Sequence, residues 1–208
     1  MEQHIINQLH KMVMENAPLG NVLGIIEDNK DYILDLNNHK PSNAGDFTTI
    51  RLGRIVHPNL SEGYLSINLY PEDFGDTSPQ RHKGDLSSMV LKGRLIEQRG
   101  ILVKEPNGPF RQEMCVFDEN TGRSIHTPGG ENFRFKITDI REIVAGESYH
   151  TLAEELHKIT ANEETMTLCC FNSTGRRQIP SYRLVDNTLQ AETTKKQNPD
   201  SNSFREDC

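Results

Sequence analysis

Two hydrophobic periods run along this chain, and the change from one to the other divides it. Over residues 3–16 the apolar side chains Ile5, Leu9, Met12 and Val13 recur at i, i+4, i+7 and i+8, the spacing that puts one stripe on one side of a helix. Asn16-Ala17-Pro18 closes that helix, because proline cannot continue the ladder and disfavours helical geometry in the residue before it. Residues 19–45 hold no single period. Val22-Leu23 with Ile25-Ile26 suit a short helix, Tyr32-Ile33-Leu34 a strand, and Asn37-Asn38 through Gly45 a loop. This N-terminal part either caps the domain or packs against a second copy.

From Asp46 the period becomes two. Leu65, Ile67 and Leu69 alternate with Ser66 and Asn68, and Phe133, Phe135, Ile137, Ile140 and Ile143 alternate with polar residues in the same way, as in strands with one buried face. Shorter β-rich runs lie at Thr48–Val56, Ser88–Leu91, Arg94–Glu97, Ile101–Lys104, Met114–Phe117 and Thr165–Phe171. Pro58-Asn59, Pro71-Glu72, Pro106-Asn107-Gly108-Pro109, Glu119-Asn120-Thr121-Gly122 and Pro128-Gly129-Gly130 punctuate them as turns. Many short strands with close turns predict a sandwich or barrel rather than a parallel βαβ sheet, so all-β structure is expected from Asp46 to about Tyr182. Beyond Val185 the chain is too polar to offset the entropy of ordering it, and residues 185–208 are expected to be a disordered tail.

Composition narrows the function classes. The 208 residues carry 23 Lys and Arg against 30 Asp and Glu, a net charge of −7, and no segment is basic enough to track phosphates, which argues against nucleic acid as a partner. The absence of Trp and an aromatic content of 6% argue against a stacking platform for bases or sugars. No apolar run approaches the roughly 18 residues of a membrane span, and Met1-Glu2-Gln3-His4 lacks the start of a signal peptide. Cys115, Cys169, Cys170 and Cys208 have neither a disulfide-framework layout nor the C-x-x-C metal spacing. They read as reduced thiols in a cytoplasmic protein.

Two segments carry candidate chemistry. One is Pro79-Gln80-Arg81-His82-Lys83-Gly84-Asp85 leading through Met89-Val90-Leu91-Lys92 to Gly93; the other runs from Gly146-Glu147-Ser148-Tyr149-His150 to Leu156-His157-Lys158-Ile159. With these residues the sequence resembles the cupin superfamily, small jelly-roll barrels that hold a metal in the barrel mouth. His82 stands at the second histidine of that family's His-x-His pair, Gly93 at its closing glycine, and Gln80 at the first histidine. Gly146 to His157 has the eleven-residue spacing of the second motif. Within the superfamily the look is closest to the cysteine-dioxygenase-like branch, on Val-Leu-Lys-Gly-Arg-Leu-Ile-Glu and on the Tyr-to-His segment ending at His157, and it covers roughly Ser61 to Asn172.

The resemblance implies a mainly β, cupin-like barrel over residues 46–184, with a helical extension over 1–45 and the tail over 185–208. It implies metal ligation by His82 and His157, with Gln80 as a weak or water-bridged third ligand, and a divalent ion, Fe first and Ni or Zn as alternatives. It also implies a small-molecule substrate and a homodimer. Independently of any family, imidazoles on adjoining strands can converge on one ion at roughly 2.0–2.2 Å, whereas a neutral amide oxygen is a poor ligand for a transition metal. The sequence departs from the branch where a catalytic His and Tyr would stand, giving Cys169 and Phe171, and where the second motif has Pro and Gly, giving Leu152 and Glu154.

The plainer readings stand beside these. His82 also suits a satisfied polar residue at a strand start, and His157, between Leu156 and Ile159, a plug in the barrel mouth. His126 is either a ligand swung in from the intervening segment or an exposed loop residue, and Glu97 either a hydrogen-bond partner of a ligand histidine or a solvated charge. Gly129-Gly130 reads as a hairpin turn and not a phosphate cradle, for want of a strand–loop–helix context. Three functions therefore compete: a mononuclear-metal oxidoreductase resembling the thiol dioxygenases, a non-catalytic cupin that binds a small molecule or serves in assembly, and, with less support, a metal-dependent isomerase or hydrolase on the same barrel.

Overall fold

The structure is a computed structural model that describes residues 1–35, 42–44, 47–56, 62–76, 78–82, 84–118, 123–173 and 181–186. Three helices come first: α1 (Gln3–Met14), α2 (Leu19–Asp28) and α3 (Lys30–Leu34). The strands follow as β1 (Ser42–Ala44), β2 (Phe47–Arg54), β3 (Glu62–Tyr70), β4 (Phe74–Gly75), β5 (Asp85–Lys92) and β6 (Arg94–Lys104). After them come β7 (Phe110–Asp118), β8 (Arg123–Val144), β9 (Ser148–Thr151), β10 (Leu156–Ala161), β11 (Thr165–Ser173) and β12 (Ser181–Asp186).

Among the described residues the strands form two six-stranded sheets in the orders β1-β2-β3-β11-β5-β9 and β12-β7-β8-β6-β10-β4. Their pairing is nested. β3 pairs with β11, β4 with β10, β5 with β9 and β6 with β8, all antiparallel, and successive pairs alternate between the sheets. A long antiparallel ribbon rolled so that its pairs alternate sides is a jelly roll. Both turns that the motif glycines make require positive φ: Gly93 (φ 75°) joins β5 to β6 and Gly146 (φ 93°) joins β8 to β9. A side chain at Gly93 would also meet the Glu164 carbonyl at 2.7 Å.

Apolar packing occupies two separate layers. Leu65, Ile67, Met89, Leu91, Leu168 and Cys170 face outward from the first sheet and pack under Ile6, Leu9 and Val13 of α1, Val22 of α2 and Ile33 of α3. Between the sheets lie Tyr70, Phe74, Val90, Leu95, Ile143, Tyr149, Ile159 and Ala161. The stripe predicted for α1 therefore settles on the outside of the barrel, and the first sheet is covered on both faces.

Several expectations change. Tyr32-Ile33-Leu34 lies in α3 rather than a strand, because Ile33 joins the helical layer, and three consecutive apolar residues carry no period of their own. Ser42–Ala44 pairs with β2, so strand structure begins inside the segment read as loop. The runs Arg94–Glu97 and Ile101–Lys104 are one strand with a register shift between Arg99 and Gly100. Pro128-Gly129-Gly130 is no hairpin turn but part of β8: the register passes from Arg111↔Asn132 to Glu113↔Pro128, so three residues oppose one in a wide bulge. The register shift at Arg99/Gly100 turns Ile137 outward, and Ile140, three residues from inward-facing Ile143, lies on the outer face by alternation; the two are exposed at 43% and 59%. Val185 and Asp186 end β12, opposite Arg111 and Phe110, while residues 187–208 of the predicted tail, with Cys208, lie outside the described residues. Among the described residues, no helix is long and apolar enough to cross a membrane.

Candidate functional site

Side chains alternate across a strand, so the register gives the inner face row by row. At one end of the barrel Phe74, Ala161, Leu95 and Ile143 make an apolar floor. Above it Ile159, Glu97 and Arg141 stand side by side on β10, β6 and β8, and then His157 and Arg99 in the next row. On the opposite sheet Ser66, Cys169, Ser88 and Tyr149 form one row, and Tyr64, Phe171, Leu86 and Thr151 the row beyond. On the second sheet the interior thus turns from apolar to polar toward the other end, while the first sheet ends there on Tyr64, Phe171, Leu86 and Thr151.

His157 is buried on β10, and His82 is half-buried on the segment leading into β5. Their Nε2 atoms approach to 3.2 Å, with ring centres 5.0 Å apart and planes tilted by 42°. The structure therefore brings these two sequence-predicted histidines together. Burial holds both rings below the ordinary histidine range; at His82 the neighbouring His157 adds to the effect, and at His157 the Glu155 carbonyl opposes it. His157 Nδ1 lies 3.3 Å from the Glu155 carbonyl oxygen.

Gln80 is held by its backbone and by its side-chain nitrogen. Its backbone pairs with His157, N–H to carbonyl in both directions (2.8 and 3.2 Å), as an isolated bridge. Its side chain amide donates to Asp76 Oδ1 at 2.6 Å, while Asp76 Oδ2 accepts the Ile159 N–H. Gln80 is thus tied as a bracket between the β4 and β10 ends. Arg81 is exposed, as alternation requires.

Whether this donor set fits a metal is a matter of distance and count. Two nitrogens 3.2 Å apart, each about 2.1 Å from a shared ion, subtend an angle of roughly 100°, between the octahedral and tetrahedral values. The same separation sits at the long limit of an N–H···N hydrogen bond. The pair therefore fits one ion, with two protein donors. Among the described residues no three His, Cys, Asp or Glu side chains gather closely enough to hold an ion. His126 is placed on β8 opposite Cys115 of β7, and the side chains of both lie outside the described residues.

Glu97 is neither bonded to a ligand histidine nor solvated. It is fully buried; Oε1 accepts from Thr151 (2.9 Å), and Oε2 from Arg99 Nε (3.0 Å) and Arg141 Nε (2.7 Å). Burial alone would raise its pKa, but Arg99, Arg141 and Thr151 outweigh that and hold it below the usual carboxylate range. Arg99 goes further: Nη1 donates to Glu155 (3.0 Å) and Nη2 to the His150 carbonyl. Sequence reasoning missed Arg99, Arg141, Thr151 and Glu155. The available signal was alternation, because once Leu95 faces inward, Glu97 and Arg99 follow.

The strand that would carry the branch's catalytic pair supplies other chemistry. Cys169 is buried between the sheets, where burial raises its thiol pKa and the Ser88 and Ser66 hydroxyls oppose the rise. A buried, high-pKa thiol is a poor nucleophile. Phe171 stacks on Tyr64, with ring centres 6.2 Å apart, and Arg51 lies 4.2 Å over the other ring of that pair, Tyr64. Tyr149 is buried, and burial raises its phenol pKa well above the ordinary value.

No protein-family model matches the sequence, and no curated protein matches it. Solved structures similar to it include an RmlC-like cupin from Shewanella frigidimarina, with 10% identity and a TM-score of 0.41 over 69% of this chain and 91% of that one. KdgF from a Halomonas species gives 10% and 0.40 over 69% and 94%, and a cupin superfamily protein from Desulfitobacterium hafniense gives 10% and 0.35 over 64% and 82%. The nested strand order itself makes the architecture a double-sheet jelly roll.

Proposed function

We propose that the barrel mouth binds a divalent metal ion between His82 and His157, leaving the remaining coordination positions to water or a small-molecule ligand. The observation that carries this reading is the 3.2 Å approach of two Nε2 atoms from residues 75 positions apart, both rings held neutral by burial and so available as donors. Neutral imidazole suits Fe, Ni and Zn alike. When bound, such an ion supplies a Lewis acid that polarises a coordinated oxygen or lowers the pKa of bound water. The chain's own part is narrower. The two imidazoles hold the ion, and Glu97, Arg99 and Arg141 form a charged wall beside it. The apolar floor keeps water from the deep end.

Two protein donors are fewer than the three of an ordinary catalytic site, so affinity is expected to be modest and sensitive to the small molecule that fills the open positions. Titration calorimetry of untagged protein with Zn²⁺, Fe²⁺ and Ni²⁺ tests the reading. One saturable site that disappears in both His82→Ala and His157→Ala supports it, and heats identical in the variants refute it.

An oxidoreductase of the thiol-dioxygenase kind is the reaction class that the sequence resemblance implies. Cys169 and Phe171 leave the inner strand without the imidazole and phenol of that chemistry, so oxygen uptake with a panel of thiols is expected to be little or none. A second reading, a non-catalytic barrel that binds a small molecule without metal, draws on one observation: the 3.2 Å separation of the two Nε2 atoms also suits a direct hydrogen bond with no ion between them. Calorimetry with no metal heats, but a His157-dependent response to small carboxylic acids or thiols, favours that alternative.

A further inference from the structure

We infer that Arg99 and Glu155 are positioning residues that fix the His157 imidazole as its Nδ1–H tautomer, so that the bare Nε2 points at His82 and at whatever occupies the mouth. The role toward a bound ion rests on the metal-binding reading above; the tautomer does not. The argument starts at the turn between β9 and β10. Here Glu155 closes residues 152–155 on itself: its N–H donates to the Leu152 carbonyl (3.0 Å), and its Oε2 accepts the Leu152 N–H (2.8 Å). With the turn closed, the Glu155 carbonyl is presented to Nδ1 of His157 two residues on, at 3.3 Å. A carbonyl only accepts, so Nδ1 must carry the proton, and in a neutral ring Nε2 is then bare.

Arg99 holds this turn against the barrel wall. One guanidinium reaches three acceptors on three strands or turns: Glu97 in its own strand, the Glu155 carboxylate, and the His150 carbonyl at the end of β9. It is itself the cross-strand neighbour of His157. Glu97, fully buried and also bonded to Thr151 and Arg141, anchors the guanidinium plane. Arginine is the side chain suited to this, since its planar fork donates in fixed directions where lysine offers a point charge. The chain of contacts therefore runs from a rigid buried carboxylate, through Arg99 and the Glu155 turn, to one nitrogen of one ring. It also sets the partner ring: with His157 Nε2 bare, the 3.2 Å contact requires His82 Nε2 to be the donor when no ion is present.

The test is ¹⁵N long-range NMR of the histidine rings in the full chain without added metal, at fixed neutral pH, followed by Zn²⁺ titration. The wild type is expected to show His157 as the Nδ1–H form and His82 as the Nε2–H form. Glu155→Ala, which leaves Glu97 paired with Arg141, is expected to give a mixed His157 tautomer and to weaken Zn²⁺ binding by roughly ten- to a hundredfold, as removal of a ligand's orienting partner does. Glu155→Gln keeps an acceptor for one of its two bonds and is expected to restore much of the wild-type tautomer ratio. Arg99→Gln should resemble Glu155→Ala, and thermal melting identifies any loss of folding. An Nε2–H form of His157 in the wild type, or a tautomer ratio unchanged in folded Glu155→Ala, overturns the inference. A tautomer pattern as expected with no Zn²⁺ binding in any protein overturns the metal reading alone.

Discussion

The two faces of the first sheet are built from the same strands and do opposite things. On β5, Met89 and Leu91 turn outward into the helical layer while Ser88 and Val90 turn inward; on β11, Leu168 and Cys170 turn outward while Thr167, Cys169 and Phe171 turn inward. The outer layer is mostly apolar, with Leu9, Val22, Leu65, Met89 and Leu168 fully buried. The inner layer is half polar, and Glu97, Arg99, Arg141 and Thr151 within it are tied to one another. An apolar layer stabilises in proportion to the area it removes from water. A buried polar layer contributes stability only while each charge keeps its partners. The barrel wall is thus held from outside, and its interior is free to carry chemistry.

That contrast breaks most sharply at Glu97 and Leu65. Glu97→Ala leaves Arg99 and Arg141 without their shared carboxylate and is expected to cost about 3–5 kcal/mol in urea unfolding, the range for a broken buried ion pair. Leu65→Ala opens a cavity under α1 and is expected to cost about 2–5 kcal/mol. Conservative swaps separate the layers better. Leu65→Met, close in volume, should cost less than ~1.5 kcal/mol, whereas Glu97→Gln, close in shape, should cost more because the loss is of charge. If both swaps are equally mild, the inner network has no such role.

Acid sharpens the comparison next. Glu97 is held below its ordinary value of 4.5, so its contribution is complete above that pH and is lost as pH falls from there through the folded-state value. Urea unfolding between pH 6 and 3 should therefore show an acid loss that flattens in Glu97→Gln. An unchanged acid limb in that variant would assign the loss to other carboxylates. The smallest effect is expected at the mouth itself. His157→Ala should change stability by about 1 kcal/mol or a little more, since the ring gives up one polar contact with His82 and one with a carbonyl while leaving the floor intact.

Legibility followed how local each determinant was. α1 was readable because one helix carried one stripe, β3 because alternation lay within its run, and β2, β5, β7 and β11 because each was a short β-rich run bounded by turn residues. The layer that the stripe would meet was not readable. Leu65 and Ile67 alternate as a buried face should, yet they face the helices and not the barrel interior, since a sheet covered on both sides has two candidate cores. The β8 bulge at Pro128-Gly129-Gly130 was misread because proline and glycine punctuate a turn and a bulge alike. At the site, His82 and His157 were singled out through the motif resemblance, but the bond from the Gln80 side-chain nitrogen to Asp76, four residues back, depends on where β4 docks on β10. The Arg99 clamp depends on three strands meeting, which no single segment records.

The central claim, that two imidazoles meet to share one ion, is tested most directly by anomalous scattering from crystals of the full chain soaked in zinc. The account predicts one peak within about 2.0–2.1 Å of both Nε2 atoms, absent in His157→Ala. Rings still in direct N···N contact, with no density between them at saturating zinc, would contradict it.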